Sequence, residues 1–204
     1  MKKLLRSIAP LLTSILFLVL GTNLASSQDY NRGLEAYNAG DFATALSEWK
    51  PLAKRGNASA LFNLGSMYYS GKGVRKNYTE AVKLYRLAAE KGDTNAQYSL
   101  GLLYTKGNGV LKNTTEALKW FLLSAKRGNA KGQRYLGAMY AKGSGVLQDN
   151  IIAHMWYNIA SANGHETAGV EREERARHMT ASAVEKATAM ARECMKSNYI
   201  KCFL

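Results

Sequence analysis

Proline and cysteine are both scarce in this chain. The two prolines, Pro10 and Pro51, leave most of its 204 residues without an obligatory helix breaker, which fits long helices joined by glycine-centred turns. The two cysteines, Cys194 and Cys202, lie near the C-terminus. None stands directly after the apolar stretch at the start, so a lipid anchor on an N-terminal cysteine is not expected. Beyond Leu20 no segment is apolar enough to cross a bilayer, a task that takes about 20 residues. Histidine is limited to His154, His165 and His178, with no metal-binding spacing among them. Acidic residues are few as well, 15 against 28 basic ones, for a net charge of +13.

What is present starts with an export signal. Lys2, Lys3 and Arg6 precede an apolar run at Leu11–Leu20, and Ala25-Ser26-Ser27 supplies small residues for a cut before Gln28. This reads as a cleaved signal peptide, with an uncleaved anchor as the competing reading. The positive charge is concentrated in the middle: residues 50–148 hold 17 basic and four acidic side chains, whereas residues 149–204 hold seven of each. A partner of that middle region is expected to be acidic or anionic, unless the lysines only keep the chain soluble.

The 18 glycines are periodic rather than scattered. At a shift of 36 residues, Gly65, Gly101 and Gly137 align, as do Gly71, Gly107 and Gly143, and Gly73, Gly109 and Gly145. Leu64, Leu100 and Leu136 align too, with Tyr68, Tyr104 and Tyr140, with Val74, Val110 and Val146, with Ala81, Ala117 and Ala153, and with Gly92, Gly128 and Gly164. A fixed period in this range, with no gap, marks a solenoid. Each unit reads as two helices. The first runs near Ala60–Tyr69, Ala96–Thr105 and Gly132–Ala141. A Gly-x-Gly-Val loop follows, since paired glycines weaken a helix by about 1 kcal/mol each. The second helix starts near Thr79, Thr115 and Ile151, with Thr79 and Thr115 as the expected N-caps. Small residues beside large ones suit close helix packing, so the stripe Trp120, Phe121, Trp156, Tyr157 is expected in the core. Glu171–His178 reads as a charged helix, and Thr180 as the N-cap of a last amphipathic helix running to about Met195.

The run Ala96 to Tyr104, then Gly107-Asn108-Gly109-Val110, Glu116-Ala117-Leu118-Lys119-Trp120-Phe121 and Ala125-Lys126-Arg127-Gly128-Asn129, resembles the Sel-like repeat, a relative of the tetratricopeptide repeat. The resemblance implies an all-α fold: an α/α superhelical solenoid of helix-turn-helix repeats of period 36 with a C-terminal capping helix. Together with the export signal and the two C-terminal cysteines it divides the chain into a signal peptide (1–27), a tetratricopeptide-like helix pair (28–57), three repeats (58–165), and capping helices with a disulfide-bonded tail (166–204). The third copy departs from the pattern at Gly132, Arg134 and Asn150–Ile152 and is expected to be less regular. The implied role is that of a non-catalytic adaptor in the periplasm or outside the cell, with a protein partner, no cofactor, no metal and no nucleic acid.

Some cysteine-rich secreted relatives are described as β-lactamases or penicillin binders, which makes an envelope hydrolase the alternative. Ser47-Glu48-Trp49-Lys50 has the Ser-x-x-Lys form of such a site. The companion Ser-Asp-Asn and Lys-Thr-Gly motifs are absent, and Trp49 falls in the slot of Tyr85 and Phe121, as in an ordinary helix. Gly71-Lys72-Gly73 is no phosphate loop. Asn57, Asn77 and Asn113 stand in glycosylation sequons, which matter only in a glycosylating host. Binding of an anionic envelope polymer by the basic middle is a third reading.

Two cysteines outside the cytosol usually pair. In an unbroken helix Cys194 and Cys202 would be about 12 Å apart, too far for a disulfide. A bridge therefore requires the helix to stop near Ser197-Asn198 and the tail to fold back; two free thiols are the alternative. The expected binding surface is the concave face built from first helices. Its candidates are positions that differ between copies, Leu61, Tyr69, Gln97, Thr105, Gln133 and Ala141, with Lys72, Lys106 and Lys142 nearby at the loops.

Overall fold

A computed structural model describes residues 27–202; the leader expected over residues 1–27 lies outside these, Ser27 excepted. Among the described residues the chain is helical throughout, with no strand. The helices are α1 (27–38), α2 (Phe42–Lys54), α3 (Ala58–Ser70), α4 (Tyr78–Glu90), α5 (Thr94–Lys106), α6 (Thr114–Ala125), α7 (Ala130–Lys142), α8 (Asn150–Ala162), α9 (Ala168–Ala176) and α10 (Ala181–Lys196). From α2 to α9 each helix packs on the next in sequence, and α10 returns to lie on α8. This is a solenoid: α3, α5 and α7 are the first helices of three units, and α4, α6 and α8 the second.

Helix starts are chemically uniform. Asn57, Asn77, Asp93, Asn113, Asn129 and Asp149 are the N-caps of α3 to α8, and each side-chain oxygen accepts a first-turn backbone N–H. The expected caps Thr79 and Thr115 are therefore two residues too late. Asn77 and Asn113 bind the N–H of Glu80 and Glu116 at 3.0 Å, which leaves the threonines inside the helix. The three sequon asparagines are thus all helix caps. First helices end at Gly71, Gly107 and Gly143, whose left-handed backbone (φ 76°, 73° and 66°) turns the chain out of the helix. The loop closes when the cap residue of the second helix donates its backbone N–H to the carbonyl of the repeated tyrosine. These bonds are Asn77 to Tyr68 (2.9 Å), Asn113 to Tyr104 (3.0 Å) and Asp149 to Tyr140 (3.0 Å).

Within a unit the two helices are locked by a glycine facing an aromatic ring. A Cβ on Gly65 would stand 2.7 Å from the Tyr85 ring, and one on Gly101 2.6 Å from Phe121. Only a residue without a Cβ lets the ring lie directly on the helix backbone. Gly33 on α1 faces Trp49 on α2 in the same way, so the N-terminal pair keeps the lock while lacking the Gly-x-Gly-Val loop. Of the expected core stripe, Phe121, Trp156 and Tyr157 are buried, as is Trp49, each ring contributing about 1.5–3 kcal/mol by leaving water, whereas Trp120 is only half-buried. Pro51 sits inside α2 on its exposed side, where the one backbone bond it forfeits faces solvent.

The third copy keeps its register: α7 and α8 begin 36 residues after α5 and α6. The expected irregularity is compensated locally. Gly132 replaces alanine because the buried Ser124 hydroxyl would lie 2.6 Å from any Cβ there; that hydroxyl donates to the Thr94 carbonyl at 2.8 Å. Beyond the repeats, Thr180 caps α10, whose Ala187, Ala191 and Cys194 are buried. The helix stops at Ser197, Asn198 and Tyr199 adopt positive φ (51° and 65°), and the chain turns back. Cys194 and Cys202 are bridged, their Cα atoms 4.5 Å apart, and join Trp156, Met155 and Ile159 in one apolar cluster.

Candidate partner-binding face

The first helices have one side against their own second helix, one against the preceding unit, and one open. Leu61, Gln97 and Gln133 are not on the open side; they are 3%, 2% and 0% exposed. These three are withdrawn as binding residues. The structure gives the reason: Gln97 Nε2 donates to the Ala89 carbonyl at the end of α4, and Gln133 Nε2 to the Ala125 carbonyl at the end of α6, both at 3.1 Å. Leucine and glutamine have similar volume, so a core slot accepts either once the amide has a partner. Ala141 is buried too and is likewise withdrawn. Tyr69 is half-buried against Tyr78, with ring centroids 5.4 Å apart. Thr105 and the three lysines Lys72, Lys106 and Lys142 are exposed.

The residues that do form the open side sit one position further along each helix. Phe62, Asn63 and Ser66 on α3, Tyr98, Ser99 and Leu102 on α5, and Arg134, Tyr135 and Ala138 on α7 are all half-exposed and recur at period 36. Sequence reasoning passed over them because their slots hold aromatic or small residues in most copies, which looks like core. Their rings are only half covered. Tyr98 meets Tyr135 edge-on at 5.4 Å, and Tyr135 stacks at 5.0 Å on the buried Phe121. Phe62 leans on Tyr85 at 5.6 Å, and the Tyr85 hydroxyl donates to Ser66 Oγ at 3.1 Å.

The face has defined ends. At the N-terminal side Asn63 Nδ2 donates to the Tyr30 hydroxyl at 3.1 Å, so α1 reaches onto it. At the other end Arg134 forms a two-point ion pair with Glu171 of α9, with Nε to Oε2 at 2.8 Å, and lies over the Tyr135 ring at 5.4 Å. Between α3 and α5 a small cavity of about 80 Å³ opens among Tyr69, Tyr85, Ser99, Leu102, Leu103 and Lys106. Burial pushes the Tyr98 and Tyr85 phenols up to about 12, so both hydroxyls stay protonated and can donate. Half-exposed rings beside hydroxyls and amides offer apolar contact and hydrogen bonds together, as a peptide-binding surface requires.

Reaction chemistry finds less support. The Ser47 hydroxyl donates to the Thr44 carbonyl at 2.8 Å on the exposed surface of α2, as serines on ordinary helices do. His154 is buried between α8 and α9, and burial together with nearby Arg172 holds its pKa below the ordinary value. Among the described residues no three His, Cys, Asp or Glu side chains group as a metal site would need.

The Sel1 repeat family model matches residues 58–93, 94–129 and 130–165. The chain belongs to the Sel1 repeat family. Each match spans one helix pair, from the first residue of α3, α5 or α7 to the turn after the second helix. A Sel1 repeat protein from Oxalobacter formigenes is similar at 28% identity and a TM-score of 0.70, over 84% of this chain and 78% of that one. The fold also matches that of c5321, a protective antigen present in uropathogenic Escherichia coli strains and displaying an SLR fold. That match has 24% identity and a TM-score of 0.60, over 85% of this chain but 47% of the antigen. No match was found among curated proteins. Sel1 repeat proteins generally act as non-catalytic protein-interaction scaffolds.

Proposed function

We propose that this Sel1 repeat protein is an exported scaffold, periplasmic or secreted, that holds a partner protein segment on the open side of its first helices. One observation carries the reading. In every unit one of the same three slots presents a half-covered ring, Phe62, then Tyr98, then Tyr135, with the hydroxyls of Ser66 and Ser99 beside them, in a row bounded by Tyr30 and Arg134. Interior residues would be covered, and residues that only solvate the surface would be charged. The export half of the reading is supported by Lys2, Lys3, Arg6 and the Leu11–Leu20 run, and by a disulfide of the kind that persists in oxidising compartments.

Photo-crosslinking in the native host tests the face. A crosslinkable residue in place of Tyr69 or Leu102 is expected to capture a partner that the same residue at Leu87, on the outer helix α4, does not. Changing Tyr69→Ala, Tyr98→Ala and Leu102→Asp together is expected to release that partner, since aromatic anchors of this kind contribute about 2 kcal/mol or more each. Full retention by a folded triple variant would remove the face from consideration. Export is tested separately by fractionation and N-terminal sequencing, with Gln28 the expected first residue of the exported form.

A further inference from the structure

We propose that the loop edge of the solenoid docks on an anionic lipid bilayer. The three loops joining first to second helices lie side by side on one edge, because each is seated on the start of the preceding second helix. A Cβ on Gly73 would stand 2.5 Å from Phe42 Cβ, one on Gly109 2.5 Å from the Tyr78 carbonyl, and one on Gly145 3.0 Å from Thr114 Cγ2. On this edge Leu111 and Leu147 occupy one slot a period apart, and each is 91% exposed. Leucines so far out add nothing to the core. They protrude instead of flooring a groove, which suits insertion between acyl chains better than reception of a peptide.

The surroundings of the leucines select the kind of surface. Lys72, Arg75, Lys76, Lys106, Lys112 and Lys142 line the same loops and are exposed. The one loop carboxylate, Asp149, is engaged in capping α8 through the N–H groups of Ile151 and Ile152. Between the first two loops Arg75, Lys76, Asn77, Tyr78, Thr79 and Gly109 line an open cleft of about 480 Å³, within the range that holds a small phosphorylated head group. Protruding apolar tips in a field of cations match a bilayer with anionic head groups. Of these cations only Lys106 also borders the cavity between α3 and α5, so a bound membrane leaves the half-covered rings of the open side free for a protein.

Cosedimentation of the purified protein with phosphatidylglycerol-rich vesicles, compared with phosphatidylcholine vesicles, tests the proposal. Binding to the former is expected, weakening as salt is raised. Leu111→Ser with Leu147→Ser is expected to weaken it by at least about tenfold. Both side chains are solvated, so the thermal midpoint should not move. Exchanging Lys91 and Lys126 for glutamine, at the turns of the opposite edge, is expected to change binding by no more than about twofold. Vesicle binding that ignores the leucines, or that falls as far with Lys91 and Lys126, would overturn the proposal. So would soluble polyphosphate binding as tightly as the vesicles, which would mark a polymer-binding surface.

Discussion

Adding one methyl group at Gly101 probes the lock that defines each unit. An alanine Cβ there would lie 2.6 Å from Cε1 and 2.7 Å from both Cδ1 and Cζ of Phe121, about an ångström inside ordinary carbon contact. The ring cannot retreat easily: it is 1% exposed and stacked on Tyr135 at 5.0 Å. With three ring atoms overlapped, the cost lies in the upper part of the usual overpacking range, about 2–3 kcal/mol, and the better helix propensity of alanine offsets roughly 1 kcal/mol of it. A net loss of about 1–2 kcal/mol is expected, a fall in Tm of roughly 2–8 °C for a chain of this size. Urea denaturation followed by circular dichroism measures it, with the slope checked for constancy. Phe121→Leu, destabilising alone, should recover part of the loss when combined with Gly101→Ala, because the two share one contact. The equivalent change at Gly137, whose Cβ would stand 2.9 Å from Tyr157, should cost less. An unchanged or raised midpoint for Gly101→Ala would refute the account of the lock.

Gln97→Leu should be close to neutral by urea midpoint, because the Ala89 carbonyl keeps the Gly92 N–H and Gln97 Oε1 has no partner to lose. Gln133→Leu should cost about 1 kcal/mol more, since Gln133 Oε1 also accepts from Asn163 Nδ2 at 2.8 Å. Replacing Cys194 and Cys202 together by serine should remove about 2–3 kcal/mol; reducing agent should lower the midpoint of the natural chain similarly and leave the variant unmoved. His154 is held below its ordinary pKa of 6.5 by burial and Arg172, so the unfolded chain binds its proton more readily than the native one. Stability should therefore be full above pH 6.5 and decline as pH falls below it, more gently in His154→Gln; His165, lowered by burial and Arg134, adds to the same slope. A pH profile of the urea midpoint unaltered by His154→Gln would contradict this.

The solenoid was legible in the chain because its demands are absolute and repeated. A ring lying on a helix backbone accepts only glycine, and a left-handed turn strongly prefers it, so Gly65 and Gly71 and their counterparts announce the period without ambiguity. Helix starts were less legible. Asparagine and threonine two residues apart can both cap, and the choice of Asn77 over Thr79 depends on where the loop closes onto the Tyr68 carbonyl. The departures in the third copy were each visible singly, yet Gly132 makes sense only beside Ser124, and Arg134 only beside Glu171. Those pairings join residues whose proximity only the folded chain reveals.

Which first-helix positions are exposed was less legible, for a related physical reason. Variation between copies at Leu61, Gln97 and Gln133 suggests freedom from packing, but a core position tolerates a polar residue of the right volume if its hydrogen bonds are met. Gln133 meets that condition at both ends of its amide and Gln97 at its Nε2, through partners that only the folded stack brings within reach. Conversely, Phe62, Tyr98 and Tyr135 are rings of the kind a core holds, while the solenoid leaves one side of each bare. In a stack of helix pairs, then, apolar character does not separate interior from recognition surface. What separates them is whether a neighbouring unit supplies a cover. The first helices cover the glycine-locked rings of the second, whereas among the described residues only α1 and α9 reach the open side, and only at its two ends.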